Sequence, residues 1–202
     1  MLMRKELAEV KIGTDCGGNQ EWLKNPWMRL GGCAAVTACD MSIYLAREFG
    51  KLDVYPFLGE EITREEYIRF TNIMKPYLRP RRQGIDTLDI YMDGFSKYLE
   101  DCGETKIRQK PLSGDCAYPI YQEAVKGQID AGLPIPCLLL KHKSRELKDY
   151  VWHWFLLCGY EEFEDSFFVK AVSYGTFRWF SLYEIWDSGY DRKGGLVLLE
   201  VG

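Results

Sequence analysis

The stretch that decides the fold is Gly31–Gly50, GGCAAVTACDMSIYLAREFG. Between its glycine pair and its closing Gly50 it has no Gly or Pro, so the run from Cys33 to Phe49 reads as one long helix. Its first turns carry small residues and its last turns polar ones, which predicts a helix buried at its start. Cys33 falls on the first turn, where unpaired backbone N–H groups and the positive end of the helix dipole stabilise a thiolate. Taken alone, a helical cysteine is more often a small buried hydrophobe than a nucleophile. Gly31 and Gly32 would let a substrate backbone come close to it.

Three more helices are expected around this one. Thr63 and Glu66 have capping-box spacing ahead of a run to Met74, with Pro76 ending it. Leu88, Met92, Phe95 and Leu99 recur at helical intervals within Ile85–Leu99, and Pro119–Ala131 ends at Gly132. The first segment, through Trp27, is rich in Gly and Asn and reads as an irregular, extended lead-in. Beyond Pro134 the texture turns to strands: Ile135–Lys141, Tyr150–Tyr160, Ser166–Ser173 and Gly195–Val201, with a short helix over Ser181–Trp186. Helices first and an antiparallel sheet afterwards make an α+β fold, with residues 1–132 mainly helical and 133–202 mainly sheet. At 202 residues and 47% hydrophobic content, with no repeat or linker, one domain is expected.

A net charge of −4 gives no electrostatic footprint for nucleic acid, and no apolar run approaches a membrane span. The densest basic run, Arg79–Arg82, reads as a solvated turn, with a phosphate or acidic-peptide contact as the sharper alternative. Without the apolar core of a signal peptide, the chain is expected to be cytosolic. Its seven cysteines, odd in number and without paired spacing, are then reduced thiols. Only two histidines exist and no Cys or His pair has ligand spacing, so neither a metal nor another cofactor is expected.

A nucleophilic Cys33 needs a base. His142 lies in the charged stretch KHKSRELKD and reads as surface, whereas His153 opens the apolar run HWFLLCGY between Trp152 and Trp154. Trp22, Trp27, Trp152 and Trp154 are core residues or the walls of a substrate groove, and Trp27 and Trp154, with Gly31 and Gly32, are the candidates for contact with substrate. The other six cysteines lack a basic partner in the sequence.

The order GGCAAVTA, then AGLPIPCLLL (Ala131–Leu140), then HWFLLCGYEE (His153–Glu162) resembles the papain-like cysteine peptidases, in the branch of the bacteriocin-leader (double-glycine) peptidases. The resemblance spans Gly31 to Trp186. It implies a papain-like fold, with a central Cys helix packed on a C-terminal antiparallel sheet. It also implies acyl transfer from a peptide or protein substrate, with Cys33 as nucleophile and His153 as general base and acid. The oxyanion stabiliser it calls for is a Gln upstream of the Cys; Gln20 is the candidate, 13 residues away, and Asn19 the fallback. The Asp or Asn that should orient His153 falls on Ala171 when Tyr174-Gly175 is aligned, which leaves Ser173 or Asp187 as substitutes. That gap keeps two other readings open: a catalytically silent domain that binds a peptide or protein, and an acyltransferase on the same fold.

Overall fold

The computed structural model describes residues 3–57, 59, 61–82 and 84–202. The long helix, α2 (Cys33–Glu48), follows a one-turn helix α1 (Pro26–Gly31), and Gly32 is the joint between them. A Cβ at Gly32 would fall 2.4 Å from the Met28 carbonyl oxygen, so glycine is required there by the helix junction itself. α1 lies where the sequence suggests irregular chain. Its signal is Asn25-Pro26: the Asn25 side chain accepts from the Trp27 and Met28 N–H groups, and Pro26 takes the first turn.

α3 (Arg64–Met74) begins with the expected capping box between Thr63 and Glu66. α4 (Leu88–Asp101) starts three residues later than expected, because Thr87 caps it through Ile90 N–H and Ile85 is left in the preceding loop. α5 spans Tyr118–Asp130 and α6 Leu182–Trp186.

One antiparallel sheet of seven strands takes its members from both ends of the chain. In chain order they are β1 (Met3–Glu6), β4 (Ile107–Ser113), β5 (Ile135–Leu139), β6 (His153–Glu162), β7 (Phe167–Ser173), β8 (Thr176–Ser181) and β9 (Gly195–Val201), while β2 (Lys11–Ile12) and β3 (Asp15–Cys16) form a separate small hairpin. The spatial order is β4-β9-β5-β6-β7-β8, and β1 pairs with the far half of β6. The fold is thus α+β, but the first 132 residues supply two of the sheet's strands, β1 and β4, alongside the helices.

α2 packs on β5 and β6 and is covered by α3. It is buried from Cys33 to Ala46, and Ala34, Ala35, Ala38 and Cys39 have no exposed surface. Such small side chains let the helix axis approach the sheet closely. The Cys33 end of α2 is thereby brought against the beginning of β6, where His153 stands. No described helix is long and apolar enough to cross a membrane.

Candidate active site

Cys33 is 8% exposed, and no side chain caps the first turn of its helix. Burial pushes the thiol above its usual range, while the N–H groups of Trp154, Ala34 and Cys33 itself pull the other way. The sulfur therefore lies beside the backbone of the residue that follows His153. One side of it opens on a cleft of about 240 Å3 lined by Trp27, Leu30, Gly31, Arg81, Arg82 and Trp152, among others.

His153 is 4% exposed, and burial alone drives its imidazole down to about 4, so it is neutral at pH 7. Its Nε2 lies 2.7 Å from Ser173 Oγ, and its Nδ1 lies 3.4 Å from the Tyr174 hydroxyl. The Tyr174 ring stacks on the imidazole with centroids 4.6 Å apart and planes 3° from parallel. The Tyr174 phenol is pushed up to about 12, first by burial and next by the proximity of Cys33. Cys33, His153 and Tyr174 are thus neighbours, and the hydrogen bonds of the imidazole go to Ser173 and Tyr174, not to the sulfur.

Ser173 reaches the histidine because of strand register. Ala171 pairs with Leu157, four residues along β6 from His153, or roughly 13 Å at strand rise. Ser173 is two residues nearer and on the same face of β7 as Ala171. The hydroxyl within hydrogen-bond distance of the ring thus comes from Ser173, two positions after Ala171. Asp187, the other substitute, is paired with Lys143 at 2.6 Å and takes no part.

The turn after Ser173 is under local strain. Ser173 pairs with Thr176, so Tyr174-Gly175 is a two-residue hairpin loop, and both have positive φ, 55° and 75°. For a bulky side chain the left-handed region costs about 1–2 kcal/mol. Among the described residues only one other non-glycine residue has positive φ: Trp152, at 53°, immediately before His153. The two strained residues flank the histidine and the serine that holds it.

The lead-in segment clamps this turn. Gly175 N–H donates to Gly18 O at 3.0 Å, Cys16 N–H donates to Gly175 O at 2.9 Å, and Asn19 Nδ2 donates to Tyr174 O at 3.1 Å. Gly18 N–H in turn donates to both oxygens of Asp40, at 3.0 Å each, and Tyr67 Oη donates to Asp40 Oδ1 at 2.7 Å. Asp40 sits on α2, two turns below Cys33, so the helix of the thiol also anchors the loop that positions the imidazole. Burial raises the Asp40 carboxyl to about 7 against those hydrogen bonds. Neither Asp40 nor Tyr174 stands out in the sequence as a site residue; an Asp within an otherwise apolar helix is the one signal for the first.

Gln20 opens a short 3-10 helix (Gln20–Trp22). Its Nε2 donates to Arg29 O at 3.0 Å, and its Oε1 is buried without a partner. One N–H of the amide is thereby committed to α1 and a second is left. Asn19 caps the same short helix through Glu21 N–H. Gly31 lines the cleft, with Pro80 at ordinary contact distance from where its Cβ would be. Trp27 is 64% exposed on the cleft wall, but Trp154 is not available to substrate. It is 1% exposed, donates Nε1–H to Ile85 O at 2.6 Å and stacks on Tyr91. Strand β6 begins at His153, so Trp152 is outside it and turned to the cleft in place of Trp154. His142 ties the loop after β5 to α6 through Glu184 O. Among the described residues no cluster of three His, Cys, Asp or Glu side chains is placed to hold a metal ion.

No family model matches the chain, and no curated protein matches it in sequence.

Proposed function

We propose that the chain is a papain-like cysteine peptidase or amidase acting on a peptide, with Cys33 as nucleophile, His153 as general base and acid, and Ser173 as the residue that orients His153. The observation that carries this reading is the His153 ring, buried, neutral and held between Ser173 Oγ at 2.7 Å and the Tyr174 ring beside the thiol that opens on a cleft.

Burial favours the neutral forms of both groups, so the resting pair is thiol and imidazole rather than thiolate and imidazolium. With Nε2–H given to Ser173, Nδ1 holds the lone pair. Nδ1 takes the Sγ proton as sulfur attacks the carbonyl carbon, and it returns that proton to the leaving amine as the C–N bond breaks. Water then attacks the thioester with Nδ1 again as base, which releases the acid and restores the thiol. The N–H groups at the start of α2, which no side chain caps, are the donors this reading assigns to the oxyanion.

Alkylation with iodoacetamide at pH 7.5, followed residue by residue by mass spectrometry, tests the assignment. Cys33 should react faster than the partly exposed Cys102 and Cys116, and His153→Ala should remove the advantage. If Cys33 labels no faster than those two in the wild-type chain, it is not an activated nucleophile.

One observation favours a second reading, a silent domain of the same type that binds a peptide. The imidazole nitrogen that should face the sulfur has the Tyr174 hydroxyl as its nearest polar partner. Tyr174→Phe separates the two: it speeds Cys33 alkylation if the hydroxyl competes for Nδ1, and leaves it unchanged if the thiol is inert.

A further inference from the structure

The cleft beside Cys33 does not end at Trp27. A second cleft of about 470 Å3 adjoins it, sharing Trp27, Pro80 and Arg82 as walls and adding Lys75 and Arg79. The basic run Arg79–Arg82, which as sequence reads as a solvated turn, thus forms the side of a groove leading to the thiol. Lys75, Arg79, Arg81 and Arg82 all stand along it, and among the described residues none of the four is in an ion pair. The carboxylate on the groove wall, Asp86, is already matched by Arg192 at 2.7 Å. Four cations gathered without an ion-pair partner among the described residues, in a chain whose net charge is −4, make this groove electropositive against an acidic background.

Between the cations the walls are apolar. Leu30 is 79% and Trp27 64% exposed, and Leu138 and Leu140 line the floor. Trp27, Trp152 and Leu30 make a mixed apolar wall that takes aliphatic side chains, and two tryptophans fall short of the succession of aromatic rings on which single-stranded nucleic acid stacks its bases. The acidic background also opposes a polyphosphate backbone running beyond the groove.

We propose that this groove recognises an acidic segment of a polypeptide, its carboxylates against Arg79, Arg81, Arg82 and Lys75 and its apolar side chains against Trp27, Leu30 and Trp152. That the segment belongs to a substrate, with its scissile bond at Cys33, rests on the peptidase reading; the binding itself does not.

The test uses the full chain carrying Cys33→Ala, which cannot turn over. Fluorescence anisotropy is measured with three labelled probes: a decamer of alternating glutamate and leucine, the same decamer with glutamine for glutamate, and a single-stranded decauridine RNA. The glutamate peptide should bind at least about tenfold more tightly than the glutamine peptide at 0.1 M salt, with the gap narrowing at 0.5 M. The pair Arg79→Gln and Arg82→Gln, both on exposed side chains, should shrink the gap to about twofold without moving the melting temperature. Equal binding of the two peptides, binding of neither, tighter binding of the RNA, or a gap that survives the double substitution each overturns the proposal. Because alkylation of Cys33 is read separately in the wild-type chain, failure of the nucleophile and failure of the acidic preference are told apart.

Discussion

The two sides of Cys33 are built in opposite ways. On the His153 side the surroundings are closed and the polar atoms have protein partners: Ser173 on Nε2, the Tyr174 hydroxyl facing Nδ1, Asn19 on the Tyr174 carbonyl, Asp40 on Gly18. On the Trp27 side Trp27, Leu30 and Trp152 are exposed, and among the described residues Lys75, Arg79, Arg81 and Arg82 make no ion pair. A site whose hydrogen bonds are already made is preorganised, and its residues answer to one another before any ligand arrives. A surface of exposed tryptophan, leucine and arginine is completed only by an occupant. Substitutions on the first side should therefore change chemistry and stability together, and those on the second should change binding alone.

The largest effect is expected at His153. His153→Ala should slow Cys33 alkylation at pH 7.5 by about a hundredfold or more, the range of a positioned general base. An intact rate would show that the closed side does no chemistry. Next comes Ser173→Ala, expected to slow the same reaction about tenfold by releasing the ring from its hydrogen bond at Nε2. Its signature is the tautomer: nitrogen NMR of the imidazole should report Nε2–H in the wild-type chain and a mixture in the variant. Ser173→Thr, which keeps the hydroxyl, should restore much of the Nε2–H form.

Much of the closed side is legible as sequence, and the part that is not depends on pairing between distant strands. Cys33 follows from the glycine pair and the helix behind it, and His153 from there being one apolar-flanked histidine. Ser173 emerges from the sequence only as one of two substitutes, because which residue of β7 comes level with the His153 end of β6 is set by pairing between strands, and pairing leaves no mark in composition. The same limit hides β1 and β4. β1 is Met-Arg-Lys-Glu, largely exposed, and β4 carries Pro111 at the sheet edge, where no ladder demands its N–H, so neither shows the apolar alternation of a buried strand. Trp152 and Trp154 exchange their expected places for a local reason: a 3-10 turn ending at Tyr150 and the left-handed backbone of Trp152 start the strand at His153, three residues later than the expected Tyr150.

The closed side also holds two buried titratable groups whose effects on stability run in opposite directions. Asp40, raised from 3.8 to about 7, binds its proton more tightly folded than unfolded. Stability from this group is therefore present at low pH and lost as pH rises from about 4 through 7, on the order of 4 kcal/mol in full. His153, lowered from 6.5 to about 4, binds its proton less tightly folded. Stability from it is present above 6.5 and lost as pH falls toward 4, on the order of 3 kcal/mol. Between pH 4 and 6.5 the two oppose each other. Urea denaturation across that window should show that Asp40→Asn makes stability rise more steeply with pH than in the wild-type chain, while His153→Ala makes it rise less or fall. Parallel curves for all three chains would mean that neither group is buried as described. Asp40→Asn bears on the site as well, since a weaker hold on Gly18 N–H loosens the clamp on the Tyr174 turn and should slow Cys33 alkylation.

The smallest effect on the folded chain is expected on the open side. Leu30 touches the cleft and little else, with 79% of its surface exposed, so Leu30→Ser should change unfolding free energy by no more than about 0.5 kcal/mol. It should leave the alkylation rate of Cys33 unaltered, because iodoacetamide needs no groove. Binding of the glutamate–leucine decamer should nonetheless weaken by about fivefold, since packing against one leucine side chain is worth on the order of 1 kcal/mol. Stability, intrinsic thiol reactivity and peptide affinity then separate into three readouts. A Leu30→Ser chain that loses stability or alkylates slowly would place Leu30 in the closed side's framework, and the division at Cys33 would have to be redrawn around it.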